Sequence, residues 1–364
     1  MPFLKPEEVH LIQINKMTLL KKSPCSNKNN FLLNPITQGI EDGISIFTAV
    51  KDRKEYLEQS LVTWLNLLSI EEIIIVDWSS KQPLRTLVNK YQDGRIVLAE
   101  VPDQKKWILS FAYNLAARLT TKNKIFKVDS DIKISPDFFK AHQLKPRTFF
   151  SGDYKLARDQ NEKHLNGTVF LHREDFFNIN GYCEYIQSYG WEDSDFYIRL
   201  EKSGLQRKYF DLNTLAHIEH GNRHENQEDM YTHLNITEKQ ISDIKIFTNR
   251  YLCGLMPPWG PNYEMSQFKI KKITSNLLQC EQIKRKSNPV PKEIFEESKK
   301  SALKYFLGKK KHKFPEFLIN SLSSDELLFI YDVLESKDRL HKSKMLYDLL
   351  VKLNDINKIK KVKS

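Results

Sequence analysis

Between Gly43 and Val128 the chain alternates short apolar runs with segments of helical periodicity, and one of those runs, Ile73-Ile74-Ile75-Val76, is apolar at every position. A run that short is a strand rather than a helix, and apolar on both pleat faces it has to be covered on both sides. That requirement points to an α/β fold with a mostly parallel central sheet, Rossmann-like in layout. The neighbouring segments fit. Ile44 to Val50 is a strand candidate, followed by Leu57, Leu61, Trp64, Leu65 and Leu68 at helical spacing. Pro83 to Tyr91 predicts a helix, Arg95 to Val101 a strand, Ser110 to Leu119 a helix with Ala112, Leu115, Ala116 and Leu119 inward, and Ile125 to Val128 the next strand.

Ligands of such sheets sit beyond the carboxyl ends of the strands. Three of these ends carry polar clusters: Lys51-Asp52-Arg53, Asp77-Trp78-Ser79-Ser80 and Asp129-Ser130-Asp131. In a chain with 28% charged residues an Asp-x-Asp triplet alone is weak, but at the end of a buried strand it offers the oxygen-rich site a divalent cation needs beside a diphosphate.

Further along, Gly190-Trp191-Glu192-Asp193-Ser194-Asp195 opens a helix. Acids at a helix amino terminus complement its dipole. An aromatic face beside several carboxylates also suits a sugar site, where one carboxylate takes the proton of an acceptor hydroxyl. His217 and His220, with His224 behind them, are candidate metal ligands. A cation held by Asp131, one of these histidines and phosphate oxygens favours Mn2+ (or Mg2+) over calcium. Asn166-Gly167 suggests a tight turn where a ligand approaches the backbone closely.

Taken in order, Ile44 to Arg53, Ile75 to Ser80, Phe111 to Ala116, Val128 to Asp131 and Gly190 to Asp193 resemble GT-A glycosyltransferases. The likeness is to family 2-like bacterial capsule enzymes of the chondroitin-polymerase type and to the β-1,4-galactosyltransferase-like group, over roughly Gly43 to Asn226. The resemblance implies an inverting, metal-dependent enzyme that moves a sugar from a nucleoside-diphosphate sugar, a UDP-sugar by preference, to a glycan or glycolipid hydroxyl. It implies synthesis of a capsule, lipooligosaccharide or other surface polysaccharide. Donor contacts would fall on Val50, Arg53, Asp77, Asn114, Asp129, Ser130 and Gly167. Arg53 would approach the diphosphate, Asp77 the base or ribose, and Asp129 the ribose side. Metal ligation would fall on Asp131 with His220 and His217, acceptor contacts on Trp191 and Glu192, and the catalytic base on Asp193.

The implied organisation is a leader over residues 1–42, a GT-A domain over 43–284 with a nucleotide half (43–150) and an acceptor half (151–284), and a basic helical C-terminal extension over 285–364. Leu327 to Leu334 and Met345 to Leu353 repeat at helical spacing, expected as packing between helices or as a basic surface for a membrane or a partner enzyme. Tyr251 to Gly260 reads as a packed surface loop, or as a lid over the nucleotide.

Other classes fit less well. A nucleotidyltransferase would want a Gly-rich phosphate loop that Lys51-Asp52-Arg53 lacks. The net charge of +11 raises nucleic acid, yet the basic run at Lys309 has no interleaved aromatics, so no nucleic-acid partner is expected. Four scattered cysteines, no long apolar span and no secretory pattern at the amino terminus lead to an expectation of a cytoplasmic protein, at most peripheral at the inner face of the cell membrane. The sequons at Asn166 and Asn235 are then structural.

Overall fold

The computed structural model describes residues 39–220, 238–283 and 290–308. Expectations for most of 1–42, for His224 and Asn235, and for the chain beyond residue 308 lie outside these residues.

Strands and helices alternate as β1 (Glu41–Val50), α1 (Lys54–Leu65), β2 (Glu72–Asp77), α2 (Arg85–Tyr91), β3 (Ile96–Glu100), α3 (Leu109–Leu119) and β4 (Lys122–Lys127). Then come β5 (Ile132–Ile134), α4 (Phe138–Ala141), β6 (Thr148–Ser151), β7 (Val169–His172), α5 (Arg173–Asn178), α6 (Glu192–Lys202), β8 (Gln206–Tyr209) and β9 (Leu215–His217). Helix α7 (Glu238–Leu255), β10 (Phe268–Lys272), β11 (Leu277–Gln282) and α8 (Lys292–Gly308) complete the set. The main sheet has nine strands in the order β10-β11-β3-β2-β1-β4-β7-β6-β8. From β11 to β4 every neighbouring pair is parallel, whereas β7 runs antiparallel to both β4 and β6. This is the mixed α/β architecture with a mostly parallel sheet that the apolar β2 demanded, and every residue of β2 is buried.

The sheet is covered on two faces. On one lie Phe47, Ile74, Val76 and Ile125 with α3, whose Ala112, Leu115 and Ala116 point inward as expected. The other face holds Ile46, Ile73, Ile75, Phe126 and Val128 against Leu57, Leu61 and Trp64 of α1. Phe126 stacks on Phe138 at 4.5 Å between ring centroids and meets Phe170 and Phe210 edge-on or tilted. Truncating such a ring to alanine costs about 3–5 kcal/mol.

One sequence expectation changes. Leu68 lies beyond the end of α1 and is 95% exposed, because the helix stops at Leu65 and the chain buries Leu67 and Ile70 instead. The strands on either side of residue 150 share the main sheet. Strands β6, β7 and β8 extend the same sheet from β4, and β11 returns to pair with β3. Of the segment 251–260, the first half belongs to α7, and Trp259 is buried, donates its indole N–H to the Asn180 carbonyl at 2.7 Å and stacks on Tyr263, in keeping with the packed-loop reading. Among the described residues, no helix is long and apolar enough to cross a membrane.

Candidate active site

The carboxyl ends of β1, β2 and β4 lie side by side, and their loops are tied together. Lys51 donates to the carbonyls of Trp78, Ser79 and Gln104, the last at 2.7 Å. Asp52 and Ser79 both adopt left-handed backbone, with φ of 56° and 59°. The Asp52 N–H reaches the Ser80 hydroxyl, and the Lys81 N–H reaches the Asp52 carboxylate. Asp77 accepts from the Ser80 N–H at 2.8 Å, and burial pushes its carboxyl above the ordinary value despite that bond. Beside it opens a cleft of about 200 Å³ lined by Asp77, Ser79, Ser80, Pro83, Glu100 and Val101.

Just past the end of β4 the chain turns at Ser130 and Asp131, and this turn separates two functions. Asp131 faces the imidazoles. Its Oδ2 lies 2.8 Å from His220 Nε2 and 3.6 Å from His217 Nε2. The ligand atoms of these three residues lie within 4.8 Å of one another. His217 comes to this place by backbone pairing, since β9 lies antiparallel to β5 with His217 opposite Ile132, and the Ile218 N–H bonds the Asp131 carbonyl.

Its tautomer follows from Asn161. The amide nitrogen of Asn161 donates to the His217 carbonyl, which leaves Oδ1 to accept from His217 Nδ1 at 2.5 Å. Nε2 of this buried ring is then a bare lone pair aimed at Asp131, with no hydrogen-bond partner among the described residues. A ring oriented by an outer carbonyl with a buried unsatisfied nitrogen is what a divalent cation site requires. One carboxylate and two imidazoles make a mixed oxygen and nitrogen donor set that can hold a divalent transition-metal ion such as manganese.

Arg53 sits at the start of α1 with its guanidinium 5.5 Å from the Tyr56 ring centre, and Tyr56 in turn lies 5.0 Å from the His220 ring. That places Arg53 one aromatic ring from the cluster.

Asp129 faces elsewhere. It accepts from the Tyr113 hydroxyl at 2.6 Å and from the Lys127 ammonium at 2.8 Å. Gly167 ends a 3-10 turn over Glu162–Gly167. A Cβ on Gly167 would come within 2.8 Å of Asp129 Oδ2, 3.0 Å of Lys127 Nζ and 3.3 Å of Asp193 Oδ2. This glycine is therefore the floor on which the acids of β4 and α6 converge.

Helix α6 delivers its acids through a strained turn. Gly190 and Trp191 both have left-handed backbone, φ 98° and 76°, and only glycine fits the first, where a Cβ would meet Ile246 at 2.4 Å. Trp191 at positive φ is unusual for a bulky residue and marks a backbone held in place by its surroundings. Asp193 keeps 20% of its side chain accessible, 3.4 Å from the Tyr182 hydroxyl. Glu192 is buried, and burial together with the adjacent Asp193 pushes its carboxyl up to about 8. At neutral pH it is a protonated donor. Asp195 instead pairs with Arg199 on the same helix at 2.7 Å.

Two of the expected donor residues have partners within the fold. Asn114 is fully buried, and its amide is spent on the Tyr182 backbone and the Glu184 carboxylate, because α3 uses it to brace the loop before α6. The Val50 carbonyl accepts from the Trp78 N–H, and its side chain is buried. Trp191 offers less stacking surface than its flat ring suggests, since Arg250 lies 5.2 Å over it and the ring packs on the Tyr185–Trp259 cluster. Ser130 is buried between the two acids.

Sequence reasoning missed Lys127, Tyr56 and Asn161. A lysine inside an apolar strand was the available signal for the first.

Residues 149–224 match the family model described as the N-terminal domain of galactosyltransferase, a segment that includes Gly167, Glu192, Asp193, His217 and His220. This matched segment, on a sheet of this order, supports a glycosyltransferase of the GT-A type. No curated protein matches the chain. Among solved structures, the catalytic domain of a Drosophila beta1,4galactosyltransferase 7 in complex with xylobiose is 14% identical, with a TM-score of 0.43, over 68% of this chain and 96% of that one. A mannosyltransferase from Pyrobaculum calidifontis, in complex with GDP-Man and Mn2+, is 11% identical with a TM-score of 0.45, over 86% of this chain and 79% of that one. Likenesses this slight carry no argument, so the roles of the site residues rest on the geometry of the site itself.

Proposed function

We propose that the protein is an inverting, metal-dependent glycosyltransferase that moves a sugar from a nucleoside-diphosphate sugar, a UDP-sugar by preference, onto a hydroxyl of a glycan acceptor. The observation that carries this reading is the convergence over Gly167. Donor-side Asp129 and acceptor-side Asp193 approach one backbone position, and the Asp131–His217–His220 cluster stands on the same strand end.

Each residue then has a task. The cleft beside Asp77 receives the nucleoside, and Asp129 meets the ribose side. Asp131, His217 and His220 would hold the cation, which when bound neutralises charge on the leaving diphosphate. Arg53 adds a second positive group on that side. Asp193, partly accessible, takes the proton from the acceptor hydroxyl as that oxygen attacks the anomeric carbon from the face opposite the diphosphate, which inverts the centre. Glu192, protonated at neutral pH, donates a hydrogen bond that orients the acceptor.

Work on a capsule, lipooligosaccharide or other surface glycan, at the inner face of the membrane, completes the proposal. The likeness of the ordered motifs to capsule enzymes and the lysine-rich end of the chain support this setting.

A screen of UDP- and GDP-sugars for manganese-dependent thermal stabilisation identifies the donor, since a ligand that binds the folded state raises its stability by mass action. Product NMR then reads the anomeric configuration. No stabilisation by any nucleotide sugar with manganese would overturn the donor assignment, and retained configuration would overturn the role of Asp193.

A further inference from the structure

We propose that Lys127 is a positioning residue for Asp193, its buried ammonium holding that carboxylate ionised and in place above Gly167; this deepens the sugar-transfer reading and rests on it. Lys127 is the last residue of β4 and is 0% exposed, in a strand position that packing alone would fill with an apolar residue. An ammonium removed from water costs several kcal/mol unless it is paired and hydrogen-bonded. Lys127 meets that condition only through the active site. Its Nζ donates to Asp129 Oδ1 at 2.8 Å and to the Gly167 carbonyl at 2.7 Å, lies 3.9 Å from Asp193 Oδ1, and sits 4.4 Å from the centre of the Tyr113 ring. The two hydrogen bonds fix the ammonium, and the fixed ammonium reaches a carboxylate from a different element.

Several groups face Asp193. Glu192 and Tyr197 come from α6, Tyr182 from the loop before it, and Asp129 and Lys127 from β4. Tyr182 and Tyr197 are held neutral, well above the ordinary phenol value, by burial first and by Asp193 next. Asp129 is a like charge. Without Lys127, Asp193 would face Asp129 and a partly desolvated surround, and both favour taking up a proton before the acceptor arrives. Burial works to lower the Lys127 ammonium, yet Asp129 and Asp193 outweigh it and keep it charged. During transfer Asp193 accepts one proton from the acceptor, and Lys127 neither gains nor loses one.

The test follows the Asp193 carboxyl carbon by 13C NMR through an acid titration of the full chain, the signal being assigned by its loss in Asp193→Asn. In Lys127→Met the midpoint is expected to rise by about one pH unit or more, and Lys127→Arg, which keeps the charge, is expected to recover most of that shift. The acid limb of the turnover–pH profile moves with it. An unmoved midpoint in folded Lys127→Met overturns the proposal, as does a moved midpoint with an unmoved acid limb. Should Lys127→Met not fold, Lys127→Met with Asp129→Asn removes cation and anion together, and its midpoint is compared with that of Asp129→Asn alone. The titration needs no substrate. An absence of transfer by the wild-type protein would therefore sink the functional reading while a shifted midpoint still supports the Lys127 link.

Discussion

Asp129 with Asp131 and Glu192 with Asp193 are both close acidic pairs, one at the end of a strand and the other at the start of a helix, and the fold treats them differently. The pair that follows the strand is split by the turn at Ser130 and Asp131. Asp131 meets two imidazoles, and Asp129 meets an ammonium and a phenol, so each acid has its own partner. The helix pair shares one environment, where burial and mutual repulsion leave Glu192 protonated up to about 8. A strand end separates charges in space; a helix start in a buried turn separates them by protonation.

The comparison breaks most sharply at Asp193. Asp193→Asn is expected to cut transfer by about 10²–10⁴-fold while nucleotide affinity, measured by calorimetry, stays close to wild type. A variant that keeps most of its turnover removes the base from this site. Next come the metal-side groups. Asp131→Ala and His217→Ala should each weaken manganese-dependent nucleotide binding by about 10–100-fold, and Asn161→Ala, which frees the His217 ring to rotate, by about 10-fold. Equal losses in chelator would show that the cluster binds no cation.

Glu192 gives a smaller, pH-dependent effect. Its carboxyl is raised from 4.5 to about 8 in the folded protein, so the fold binds a proton that the unfolded chain releases. The stability this contributes is present below 4.5 and is lost as pH rises through about 8. Thermal melts of metal-free Glu192→Gln should therefore fall less than wild type across that window; parallel curves would place the proton elsewhere. On turnover the smallest effect belongs to Asp195. Its i,i+4 pairing with Arg199 is mostly buried, so Asp195→Ala should cost about 3 kcal/mol of stability in urea melts while the folded protein keeps its turnover in a transfer assay.

The strand end was legible in sequence because a short apolar run fixes the burial of the strand and so where its end lies, though the opposite directions of Asp129 and Asp131 come from the turn that follows. Ile73 to Val76 and the triplet after β4 needed no tertiary information. Strands β10 and β11 were not legible, since Phe268-Lys-Ile-Lys-Lys is an edge strand whose lysines are tolerated because one side has no neighbour. Leu68 followed helical spacing, yet the helix had already ended, and one leucine carries no boundary signal. Asn114 and Asn161 show the other gap. Both are asparagines with fully specified amide bonds, and only the contacts 68 and 56 residues away decide which braces the core and which aims a ligand.

The pairing of β9 with β5 leaves little tolerance for changes in chain length. Leu215 and His217 face inward while Ala216 faces out, so shifting the register by one residue would turn His217 to solvent and bring Ala216 to Asp131. A single deletion or insertion between Asp211 and His217 would thus act as a point mutation of the metal site, though it removes no ligand and alters no charge.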